Sequence, residues 1–75
     1  MRADQIRAGR ALLGLTAGEL AFLAGVTPNT ISRIERGGDA KQSTMDTIAK
    51  VLEARGVQFI PENGGGAGVR LRDRK

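Results

Sequence analysis

Only Val26 stands between Gly25 and Thr27, and these three residues limit the fold more than any other part of the chain. Gly25 follows the apolar run of Leu20, Ala21, Leu23 and Ala24, and glycine tolerates the positive φ that ends a helix. Thr27 has the chemistry of an N-cap, and Pro28 suits the first helical position, where its missing N–H is no loss. One helix stops and another starts within three residues. Two short helices joined so tightly form a helix-turn-helix. Ala21, midway along the first, leaves room for a close crossing. Leu20, Ala24, Val26, Ile31 and Ile34 are the apolar positions that close the pair on each other and on the core.

Further helices are marked on either side. Residues 4–13 place Ile6, Gly9, Arg10 and Leu13 on one face, and Gly14 ends the run; neither Ala3 nor Asp4 opens a clear capping box. Thr16-x-x-Glu19 is a capping box, and Leu15 with Leu20 has the spacing of a hydrophobic staple. The third helix runs from Thr27 to Arg36 and stops at Gly37-Gly38. Ser43-x-x-Asp46 predicts the start of a fourth, with Met45, Ile48, Ala49 and Leu52 as its stripe and Arg55-Gly56 as its end. The period then changes to two. Val57 and Phe59, then Val69 and Leu71, alternate with polar neighbours, and a glycine-rich loop, "PENGGGAG", joins them. The expected architecture is mainly α, with a helical unit over 1–56 and a β extension over 57–75.

Composition narrows the chemistry. At 75 residues one domain is expected, and a chain of this size buries only about 60% of the surface it exposes when unfolded. It has neither cysteine nor histidine, which excludes disulfides and thiolate zinc and removes the commonest general base. No cofactor or metal is expected, and an enzymatic role has little to stand on. Lysine and arginine number 12 against 8 acidic residues, a net charge of +4, and the sequence pI is about 10.7. That balance fits a polyanion partner or a solvated basic surface. No apolar run reaches the ~18 residues of a membrane span, and Met-Arg-Ala-Asp opens no signal-type segment. A soluble, cytoplasmic protein is expected.

The third helix is divided into two faces. At about 100° per residue, Ile31 and Ile34 lie about 60° apart, while Asn29, Ser32, Arg33 and Arg36 span about 100° on the opposite side. Asparagine pairs bidentately with adenine and arginine with guanine in the major groove, which admits an α-helix. The other candidate features are weaker. "NGGGAG" lacks the Lys-Ser/Thr of a phosphate loop and reads as a flexible hairpin loop. Arg70, Arg72, Arg74 and Lys75 make a basic end that is either solvated or an added contact to a DNA backbone. Met45 and Phe59 read as core. Two phenylalanines are a poor endowment for stacking single-stranded bases.

"RAGRALLGLTAGELAFLAGVTPNTISRIERGG" resembles the lambda-repressor-like, Cro/Xre-type helix-turn-helix DNA-binding domain, over residues 4–55. The resemblance implies a four-helix bundle that lays its third helix in the major groove of double-stranded DNA. Base contacts would fall to Thr27, Pro28, Asn29 and Arg33, with Ser32 adjacent. Phosphates would be met by Thr30, Arg36, Lys41 and the backbone N–H of Ala17. The chain departs from the family twice: Ala17 replaces a frequent glutamine, and so does Pro28. The resemblance also pairs Arg10 with Glu35 of "IERG"; the alternative is that Arg10 snorkels to solvent.

The functional expectation is a transcription regulator, a repressor acting as a homodimer at a palindromic operator. The alternative is an antitoxin or other protein-interaction module with autoregulatory DNA binding. The apolar face formed by Val57, Phe59, Val69 and Leu71 either folds back on its own helices or meets a second chain. The dimer is the preferred destination, because pairing would also cover exposed strand edges.

Overall fold

In the computed structural model, which describes residues 2–72, four helices precede a two-stranded hairpin. The helices are α1 (Ala3–Leu12), α2 (Ala17–Ala24), α3 (Pro28–Glu35) and α4 (Gln42–Ala54). The strands β1 (Val57–Ile60) and β2 (Gly68–Leu71) pair antiparallel, Val57 opposite Leu71 and Ile60 opposite Gly68. The tail Asp73-Arg74-Lys75, which holds the last two members of the basic end, lies outside the described residues.

The sharp turn forms as its residues dictate. Gly25 adopts φ 72°, and the N–H of Val26 donates to the Ala21 carbonyl at 3.0 Å. Thr16 caps α2 in a complete box: Glu19 N–H donates to Thr16 Oγ1 at 3.0 Å, and Thr16 N–H to Glu19 Oε1 at 2.8 Å. Thr27 caps α3 by accepting from Thr30 N–H at 3.2 Å. Ile6, Leu20, Ala21, Ile31, Ile34, Ile48, Leu52 and Val57 form the core, each no more than 1% exposed.

Two element starts differ from the sequence reading. The first is small: α1 begins at Ala3, its end held by Arg2 N–H donating to Gln5 Oε1 at 2.8 Å. In α4 the difference is larger. The helix starts at Gln42, with Lys41 as N-cap, so Ser43 lies inside the first turn and caps nothing. Gln42 Nε2 donates to Asp46 Oδ1 at 2.8 Å. This contact between side chains four apart supports the additional turn and takes up the carboxylate that the capping reading assigned to Ser43.

The hairpin's apolar face packs at least in part on the chain's own helices. Val57 is fully buried, and Phe59, Val69 and Leu71 pack half-buried against the core. Gly9 lets β1 approach α1: a Cβ there would lie 3.3 Å from Val57 Cγ1 and 3.5 Å from Leu52 Cδ1. Gln5 fastens the other end, its Nε2 donating to the carbonyls of Ile60 at 3.2 Å and Gly68 at 2.9 Å. Val57 is thereby withdrawn from any surface offered to a second copy. The strands contact α1 and α4 directly, so packing is continuous across the expected boundary at Gly56.

Candidate nucleic-acid interface

The site begins with the two faces of α3. Ile31 and Ile34 are buried, and Ala21 of α2, 1% exposed, belongs to the same core. The opposite face carries Thr27, Pro28, Asn29 and Arg33 in the open and Ser32 half-buried. Thr27 and Thr30 share a hydroxyl hydrogen bond of 2.9 Å, so part of the polar capacity at the start of the helix is used locally. Pro28, at the first helical position, offers only an apolar surface. Asn29 makes no side-chain hydrogen bond among the described residues, which leaves its amide for a partner.

Of the residues assigned to phosphates, two gather beside Arg33. A shallow groove of about 560 Å³ is lined by Val26, Thr30, Arg33, Asp39, Ala40, Lys41 and Thr44. Lys41 is exposed at the N-cap of α4, where the positive helix end adds to its charge. Arg36 lies elsewhere, in a hollow at the far end of α3 with Arg2 and Arg7. Ala17 is half-buried at the first position of α2, and its backbone N–H lies at a helix start.

Beneath α3 a charged clamp fixes its position. Arg10 Nε donates to Glu35 Oε2 at 2.8 Å and Nη2 to Glu35 Oε1 at 2.9 Å, while Nη1 reaches the Leu15 carbonyl at 3.0 Å. The Glu35 side chain is 8% exposed and that of Arg10 22%. The hydrogen bond to Glu35 raises the Arg10 pKa above its ordinary value, against the opposing effect of burial, and the attraction of the carboxylate adds to it. Arg7 Nη1 also reaches the Glu35 carbonyl, at 3.4 Å. The arginine on the core face of α1 is therefore paired, and it ties α1 to the end of α3.

Gln5 and Asp39 had no sequence signal, and Gly38 was marked only as a helix stop. Gln5 holds the hairpin through partners 55 and 63 positions away. Gly38 and Asp39 contact Arg33. No group of three or more acidic, histidine or cysteine side chains suited to a metal occurs among the described residues, and none of the described helices is long and apolar enough to cross a membrane.

Comparison with known proteins agrees with this geometry. A family model described as helix-turn-helix matches residues 6–58. A candidate HTH-type transcriptional regulatory protein of Archaeoglobus fulgidus is 37% identical over 59 residues, which is 79% of this chain and 18% of that protein. The match therefore spans under a fifth of the relative's length.

Proposed function

The chain belongs to the helix-turn-helix family, and on that premise we propose that it binds double-stranded DNA and regulates transcription. One observation carries the reading. A helix buried on its Ile31–Ile34 side and clamped from below at Glu35 presents Asn29, Ser32 and Arg33 outward. In this reading Asn29 and Arg33 pair with base edges and Thr27, Pro28 and Ser32 touch bases beside them. Thr30, Arg36, Lys41 and the Ala17 N–H meet phosphates. The chain acts in the cytoplasm, without cofactor or catalysis, as a repressor that occludes a promoter. Two copies on a palindromic operator would set their α3 helices about 34–36 Å apart. Residues 1–56 supply the DNA contacts, and 57–75 remain the candidate dimerisation element through the strand edges, since the apolar face is occupied.

A second reading, a protein-interaction module such as an antitoxin, is favoured by Phe22. It is 85% exposed at a groove lined in part by Leu15, Leu23 and Arg55. Titration of labelled duplex at several salt concentrations tests the DNA reading. Log K should fall against log[salt] with a slope of about −0.9 per phosphate neutralised. A flat response would remove nucleic acid as the partner, and with it the autoregulatory DNA binding of the second reading, leaving a protein-interaction module alone.

A further inference from the structure

Gly38 stands just beyond α3, and its backbone does not require glycine: it is absent from the positive-φ glycines, whereas its neighbour Gly37 has φ 90°. What demands a missing side chain there is Arg33. A Cβ on Gly38 would lie 2.7 Å from Arg33 Cγ and 2.8 Å from the Arg33 carbonyl oxygen. The N–H of Gly38 donates to that same carbonyl at 2.9 Å. One residue further on, the Asp39 carbonyl accepts from Arg33 Nη1. The loop after α3 thus lies against the arginine stem and holds one corner of its guanidinium.

A guanidinium carries five N–H donors in a rigid fork. With Nη1 engaged by Asp39, the edge formed by Nε and Nη2 remains, and it is a two-donor edge of the kind that meets guanine O6 and N7. An arginine on an unsupported stem loses rotamer freedom on binding, a cost that a prearranged side chain avoids. We infer that the loop Gly37–Asp39 is a positioning element for Arg33, and that Gly38 helps determine sequence specificity although it touches no base. The inference rests on the reading of Arg33 as a base contact.

Selection of sites from random duplex DNA with the full chain, the Arg33→Ala variant and the Gly38→Ala variant tests it. The parent should prefer guanine at one position of each half-site, and Arg33→Ala should lose that preference. Gly38→Ala should weaken the preference at that same position at least about fivefold, the lower end of what a bidentate base contact supplies. Preferences elsewhere should remain near the parent's; the added Cβ also meets the Arg33 backbone carbonyl, so the melting temperature should fall, and the selection is run well below it. A merely structural role would instead weaken every position alike, and that result overturns the inference, as does an unchanged preference at the Arg33 position. If Arg33→Ala itself changes no preference, the base-contact reading fails and takes the inference with it. A measurement on the unsubstituted chain decides the case in which Gly38→Ala does not fold. Relaxation of the arginine Nε–H groups without DNA should show Arg33 ordered like backbone, S² about 0.85, and Arg36 below about 0.6. Equal mobility of the two would refute the support.

Discussion

Single side chains divide here into those that would read DNA and those that hold the reader in place. If Asn29 and Arg33 meet bases, replacing either with alanine should cost about 1–3 kcal/mol on the specific site and little on random DNA. Lys41→Ala should weaken all sequences alike, as expected of a backbone contact. Fluorescence anisotropy on operator and scrambled duplexes separates the two patterns; equal losses on both for Arg33→Ala would make it a phosphate contact. Arg10 belongs to the other group. Its guanidinium satisfies both Glu35 oxygens and the Leu15 carbonyl at once. Arg10→Met should therefore destabilise the fold by about 3 kcal/mol, because it leaves a carboxylate buried without its partner. Adding Glu35→Leu should recover much of the loss, since apolar replacement of a whole buried pair is often close to neutral. Thermal melts of the parent, single and double variants measure both, and a single variant as stable as the parent would mean the clamp carries no net stability.

Among the elements, α3 and the hairpin are placed by contacts distant in sequence. The helix is gripped by Arg10 from α1 and packs against α2. The hairpin is fastened by Gln5, which serves the Ile60 and Gly68 carbonyls at the loop end of the strands, while Val57 sits at the other end under Gly9. Gln5→Ala should cost about 1–3 kcal/mol, the penalty of leaving buried polar groups unpaired. Hydrogen exchange should report the loss first in β1 and β2, and uniform loss across α2 and α3 instead would contradict that placement. Phe22 is the contrasting case on α2. Being 85% exposed, it should be replaceable by glutamine with a stability change within about 0.5 kcal/mol, and a large loss in a melt would mean that it packs against something.

At the level of the whole molecule, the hairpin and the helices share one core. Complete burial of a side chain such as Val57 stabilises by about 1.5–3 kcal/mol, a large share of the ~5–15 kcal/mol available to a domain. A chain ending at Gly56 should lose much of its helical circular dichroism or melt at a markedly lower temperature. Retention of the full helical signal would make the strands an accessory. Stability should also be nearly level between about pH 6 and 9. The chain has no histidine or cysteine to titrate in that range. The Arg10 pKa is raised, so its contribution is complete below the ordinary arginine value and is lost only as pH climbs beyond it. A steep change in melting temperature across neutral pH would mean that another group titrates there.

The sequence by itself determined the order of elements, the turn at Gly25 and the two faces of α3. Each of these rests on neighbours within a helical turn or on strict alternation, which local sterics and hydrogen bonding enforce. It misplaced the start of α4, because Ser43-x-x-Asp46 satisfies the capping pattern while Gln42 offers Asp46 a competing bond that makes a longer helix. The preference for a second chain as the cover of Val57, Phe59, Val69 and Leu71 had a different cause. Alternation states that a strand has an apolar face and is silent on which surface covers it. Only the tertiary structure shows the hairpin's contacts within the chain, with Gly9 against Val57 and Gln5 beside the carbonyls of Ile60 and Gly68. Those contacts join residues about fifty or more positions apart, and no local rule of backbone or side-chain chemistry reaches so far along a chain.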